Sequence, residues 1–160
     1  MVRETKGYQR FILILASAGG LGYLPAAPGT WGTLAGVILS LGFQNLPLGM
    51  YLLTTLAFFF LAVWLAGQAE SLLKTRDPQM IVADEVVGYL VALATFPPTW
   101  PYLLGGFILF RIFDILKPYP ASFFNQRSQG GYDVVLDDVA AGVYANLVLQ
   151  AARLIWGVWP

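Results

Sequence analysis

Long apolar runs broken by short polar or proline-rich links dominate this chain, and they predict helices that enter or cross a membrane. Leu46 to Ala69 alone exceeds the roughly 20 residues that a helical span needs. Ile81 to Phe96, Tyr102 to Lys117 and Val134 to Val158 follow it, and Thr33 to Phe43 precedes it with about half that length. Pro97-Pro98 and Pro101 mark a tight link, and the flanking Trp100 and Tyr102 suit a membrane interface. Phe11 to Tyr23 is shorter and glycine-rich, and it reads either as a re-entrant or interfacial piece or as a complete span. The expected fold is all-α: a polytopic membrane helical bundle of about five membrane segments plus that short N-terminal segment. It would form a single domain over residues 1–160.

Composition strengthens this reading. Hydrophobic residues make up 58% of the 160 and charged residues only 11%, with a mean hydropathy of +0.66, whereas soluble domains carry about 25% charged residues. A formal net charge of zero leaves no basic footprint, so nucleic acid is not an expected partner. The polar start MVRETKGYQR leads straight into apolar sequence, and no cleavable signal is expected. The chain has no Cys and no His. Thiolate nucleophiles, soft-metal sites and imidazole bases are therefore excluded. Chemistry is left to carboxylates, hydroxyls, Lys, Arg and backbone, for which the natural metal is a hard cation, Mg²⁺ first.

Arg3, Lys6 and Arg10 precede the first segment, Lys74 and Arg76 follow Ala69, and Lys117 and Arg127 follow the Tyr102 segment. The links at Asn45-Leu46-Pro47 and Pro97 to Pro101 hold no Lys or Arg. By the positive-inside rule the cation-bearing loops face the cytoplasm, with Arg153 left near the outer side. If Phe11 to Tyr23 does not span, the PAAPGTWGT stretch meets the acidic residues at the cytoplasmic face. If it spans, Pro28-Gly29-Thr30 is separated from them.

Five of the nine acidic residues abut or interrupt apolar runs: Asp84-Glu85, Asp114 and Asp137-Asp138. A carboxylate at bilayer depth costs roughly 2.5–3.5 kcal/mol on insertion scales, so such groups usually face a bundle interior or polar cavity. Each has a plainer reading as well. Asp84-Glu85 and Asp137-Asp138 suit helix N-termini as caps. In RIFDILKPYP, Arg111, Asp114 and Lys117 follow at i, i+3 and i+6, which suits local ion pairing as well as metal and phosphate binding. Pro118 stops that helix. Asp138, Gly142 and Asn146 form one stripe down a helix, where the glycine admits a neighbouring helix or a ligand. Gly29-Thr30 offers N–H groups and a hydroxyl to an anion, although its glycines equally suit tight packing. Glu4, Glu70 and Asp77 read as solvated faces, and Asp133 as part of the GGYD turn.

At these residues the chain resembles the phosphatidylglycerophosphatase A family of Mg²⁺-dependent bacterial membrane lipid phosphatases. The matching motifs are Pro28-Gly29-Thr30 with Gly32-Thr33, Asp84-Glu85-x-x-Gly88, Arg111-x-x-Asp114-x-x-Lys117-Pro118-x-Pro120 and Asp137-Asp138-x-x-Ala141-Gly142, with Gly130-Gly131 before the last pair. The resemblance runs from about Gly20 to Asn146. It implies conversion of phosphatidylglycerophosphate to phosphatidylglycerol and phosphate, in the bacterial inner membrane with the site facing the cytoplasm. The expected catalytic residues are Asp84, Glu85, Asp114, Lys117 and Asp138. The expected metal ligands are Asp84, Glu85, Asp114, Asp137 and Asp138, and the expected substrate contacts Gly29, Thr30, Arg111, Lys117 and Asn146. No Asp-x-Asp loop occurs, so metal-assisted attack by water leads, with an aspartyl-phosphate at Asp84, Asp114 or Asp138 still open. A small cation-coupled transporter or channel using the same carboxylates is the competing class, and a non-catalytic lipid-binding scaffold a third.

Overall fold

A computed structural model describes residues 2–43, 45–127 and 130–156, all of them helix, turn or loop, with no strand among the described residues. The elements run α1 Val2–Ala16, a 3₁₀ turn Leu21–Tyr23, α2 Pro28–Gly42, α3 Leu48–Leu73, α4 Ala83–Leu93, α5 Trp100–Leu116, α6 Ala121–Arg127 and α7 Gly131–Trp156. The expected all-helical class therefore holds. The predicted end of the last segment at Val158, the side chain of Arg127, and Ser128 lie outside the described residues.

Local sequence sets most helix limits. Pro28 opens α2 and Pro101 lies in the first turn of α5, where a missing N–H costs nothing. Lys117 closes α5 in the left-handed region (φ 44°), directly before Pro118. Among the described residues, two helices are long and apolar enough to cross a membrane, Leu48–Leu73 with mean hydropathy 2.0 and Gly131–Ile155 with 1.3. The predicted segments Ile81 to Phe96 and Thr33 to Phe43 become helices of 11 and 15 residues. Only 17% of the most apolar stretch of α3 is buried, so Leu53, Leu56, Phe60 and Trp64 turn outward.

α4 is the hub, packed by α2, α3, α5 and α7, with Tyr89 and Leu90 fully buried. Glycines set how close its neighbours come. A Cβ on Gly36 of α2 would stand 3.0 Å from Tyr89, one on Gly88 would stand 2.8 Å from the Asp138 carbonyl, and one on Gly142 would overlap the Gly88 carbonyl. The glycine in the Asp138–Gly142–Asn146 stripe thus admits a neighbouring helix. Of α1, Ile12 and Ala16 pack on Leu65, Ala66 and Ala69 in the later half of α3, whereas residues 6–11 are exposed. The Val82 N–H then donates to the Ala16 carbonyl at 2.9 Å, tying the end of α1 to the start of α4.

A candidate metal and phosphate site

Helix ends from four directions converge on one polar cavity of about 200 Å3. Ala27, Pro28 and Gly29 open α2 on one side, and Asp77, Gln79 and Ile81 come from the α3–α4 loop. Asp84 and Glu85 lie in the first turn of α4, Arg111, Asp114 and Lys117 at the end of α5, and Asp137 and Asp138 on α7. Gly29 touches the site directly. A Cβ there would stand 2.6 Å from Arg111 Nη1 and would overlap Glu85 Oε1. Bare backbone at position 29 is what lets α2 close over these charges. The loop thus meets the acids, as the non-spanning reading of Phe11 to Tyr23 requires.

The carboxylates divide into two sets. Oxygens of Asp84, Glu85 and Asp138 lie within 4.8 Å of one another, and Asp84 Oδ1, Glu85 Oε2 and Asp138 Oδ2 are buried without a hydrogen-bond partner. Asp84 is 7% exposed and Asp138 3%. Three like charges, on buried Asp84 and Asp138 and half-buried Glu85, each with one buried oxygen left unpartnered, are costly unless a cation lies among them, so this oxygen-only set fits a hard divalent ion. Asp114 and Asp137 are instead engaged by cations. Arg111 Nη1 donates to Asp114 Oδ2 at 2.5 Å, Lys117 Nζ donates to Asp137 Oδ2, and Lys117 Nζ stands 4.0 Å from Asp114 Oδ1. The i, i+3 pairing expected in RIFDILKPYP is present, but Lys117 lies beyond the helix and reaches across to α7.

Several expectations need correction. Asp137 and Asp138 lie two turns inside α7, which begins at Gly131, so they cannot cap its N-terminus. Asn146, expected to contact substrate, donates to the carbonyls of Ala92 at 3.0 Å and Ala94 at 2.6 Å. It is eight residues, roughly 12 Å, down α7 from Asp138, and it caps the C-terminus of α4. Thr30 does not line the cavity, and the hydroxyl of Thr33 donates to the Gly29 carbonyl at 2.8 Å. Asp77 was expected to be a solvated bystander, yet it and Gln79 form part of the wall. Its closeness to Asp84 in the chain was the one available signal, and Arg76 and Pro78 masked it as ordinary loop. Glu70 also has a task, because its Oε1 accepts the Asp77 N–H at 2.9 Å.

Fold and site together define an all-helical protein with an acidic, metal-fitting cavity where its helix ends meet. The sequence pattern of the family described as phosphatidylglycerophosphatase A matches residues 14–153, and the chain belongs to that family. A phosphatidylglycerophosphatase A of Haemophilus influenzae is 40% identical over 145 residues, covering 89% of this chain and 88% of the relative. One from Escherichia coli K12 is 33% identical over 148 residues, covering 92% and 84%. A protein of Bacteroides thetaiotaomicron described as a putative phosphatidylinositol-3-phosphatase is 38% identical over 157 residues, covering 92% and 97%. No solved structure matches the chain at a significant level. The transport reading finds no support among these relatives.

Proposed function

We propose that this protein hydrolyses the phosphomonoester of phosphatidylglycerophosphate, giving phosphatidylglycerol and inorganic phosphate, in a Mg²⁺-dependent reaction at the cytoplasmic face of a bacterial inner membrane. The observation that carries the reading is the charge of the cavity. Six carboxylates line it against two cations, Arg111 and Lys117, an excess of four negative charges that would repel a phosphate dianion. Asp84, Glu85 and Asp138 would hold the ion. Bound there, Mg²⁺ would supply Lewis-acid polarisation of the phosphoryl group and offset charge on the leaving oxygen.

The chain's own groups do the rest. Arg111 and Lys117 stand where they can neutralise phosphate oxygens, and their partners Asp114 and Asp137 hold both heads in place. The backbone of Pro28 and Gly29 closes the wall beside Arg111 and leaves space for an anion. The buried flanks of α4 and α7 exclude water from the acids and strengthen every charge interaction there. Lys74, Arg76 and Lys117 all lie at this end of the bundle, which supports the cytoplasmic orientation. About five membrane segments are proposed, with residues 11–23 re-entrant or lying at the interface, and the apolar outward face of α3 supports one of those segments.

Phosphate release from purified protein, assayed on phosphatidylglycerophosphate with and without Mg²⁺, tests the reading. Activity is expected with Mg²⁺, absent after exhaustive EDTA treatment, and poorly restored by the larger Ca²⁺. Phosphatidylinositol 3-phosphate is the comparison substrate, and preferential release from it would move the assignment toward the Bacteroides relative. Full activity after EDTA would remove the metal from the reaction.

A further inference from the structure

Asp77 is the one carboxylate on the cavity wall that the centre leaves uncommitted among the described residues. Asp84, Glu85 and Asp138 converge on one another with orphaned buried oxygens, Asp114 holds Arg111, and Asp137 holds Lys117. The carboxylate of Asp77 stands exposed at the cavity rim and forms no hydrogen bond or ion pair among the described residues. Its backbone is nevertheless fixed. Asp77 takes a left-handed conformation (φ 42°), a costly choice for a residue with a Cβ unless the surroundings impose it. Glu70 of α3 imposes it from one side by accepting the Asp77 N–H at 2.9 Å. From the other side Pro78 is buried and its carbonyl accepts the Ile81 N–H at 2.8 Å. A solvated bystander needs no such bracing.

We propose that Asp77 is the general base of the hydrolysis and Glu70 its positioning residue; this rests on the phosphatase reading above. A carboxylate that binds a metal or an ammonium has its lone pairs engaged, whereas the Asp77 oxygens at the rim are open to a water. The attacking water gives one proton to Asp77 while its oxygen bonds to phosphorus. The P–O bond to the glycerol headgroup breaks, and the leaving oxygen keeps the electron pair and is protonated from solvent. Asp77 returns its proton to solvent, which its exposure permits. One water is consumed, and an alcohol and a phosphate are formed.

The test compares wild type with Asp77→Asn and Asp77→Gly, purified in the same detergent, measuring kcat, KM, Mg²⁺ affinity by calorimetry and, for Asp77→Gly, rescue by added formate. Asp77→Asn is expected to lower kcat about a hundredfold. KM and Mg²⁺ affinity should stay within about twofold, and in Asp77→Gly, which removes the side chain and suits the left-handed backbone, formate should restore activity about tenfold as a small base in the vacated place. Glu70→Ala is expected to lower kcat about tenfold with KM unchanged, and Glu70→Gln, which keeps the acceptor oxygen, should recover most of that loss. An Asp77→Asn enzyme within about threefold of wild type would overturn the proposal. So would a tenfold or larger loss of Mg²⁺ affinity, which makes Asp77 a ligand, or a loss of kcat in Asp77→Gly that formate does not rescue. Failure of the phosphatase reading is seen separately, as wild type releasing no phosphate from any lipid phosphomonoester.

Discussion

At the scale of single residues, the division between converging and cation-held carboxylates predicts different kinetic signatures. Asp84→Asn and Asp138→Asn keep volume but remove charge where three buried oxygens meet, so each should lower kcat by about a hundredfold or more. Asp114→Asn and Lys117→Ala loosen groups that, in the proposed reaction, meet phosphate in both ground and transition states. They should act mainly on kcat/KM. Steady-state kinetics on the four variants checks the split, and equal losses in kcat alone for all four would erase it. Asp84, Glu85, Arg111, Asp114, Lys117 and Asp138 were legible because charge amid apolar sequence needs a reason. Asp77 was not, because a carboxylate among Arg76, Pro78 and Gln79 looks like any solvated loop. Asn146 misled for the opposite reason: it shares a helix face with Asp138, but one face can serve two purposes 12 Å apart, roughly two turns.

At the scale of elements, the crossing of α4 and α7 carries both the site and much of the fold. Gly88 and Gly142 bring the two backbones together, and Asn146 closes the carbonyl end of α4. Asn146→Ala leaves those carbonyls without their donor, at about 1–3 kcal/mol for a buried group. The variant is expected to unfold earlier in denaturant, with KM unchanged where folded protein remains. An undiminished midpoint together with a raised KM would return Asn146 to the substrate. The apolar runs revealed that helices exist and roughly where they lie. They overstated the Ile81 to Phe96 segment, because the partner that ends α4 sits 52 residues later in the chain, beyond the reach of any local pattern.

At the scale of the molecule, the all-helical class and the meeting of four motifs at one end were readable from cation placement and apolar length. The two long helices were readable too, as Leu46 to Ala69 and Val134 to Val158, whereas the shortness of α4 was not, since a central helix buried by its neighbours need not match the bilayer. Orientation is testable because the chain has no native cysteine. A single cysteine at Ala27, exposed on the cavity wall, is expected to react with a membrane-impermeant maleimide only from the cytoplasmic side. One at Thr99, before α5, should react only from outside. The reverse pattern would overturn the cytoplasmic orientation proposed above.

The unequal helix lengths have a consequence for the surrounding lipid. With 26 residues each, α3 and α7 reach roughly 39 Å, whereas α2 and α5, with 15 and 17, reach only about 22 and 25 Å. A hydrocarbon core of about 30 Å cannot match both sets, so if all four span as proposed, lipid beside the short helices would be drawn thinner or the long ones would tilt. Under the membrane placement proposed above, thinning there would lower the leaflet's phosphates toward the level of Asp84 and Asp138, and a substrate would reach them without leaving the plane of its neighbours. Turnover in reconstituted vesicles should therefore fall as the host lipid lengthens from 14 to 22 carbons, about the range over which mismatch becomes costly, while Mg²⁺ affinity holds constant.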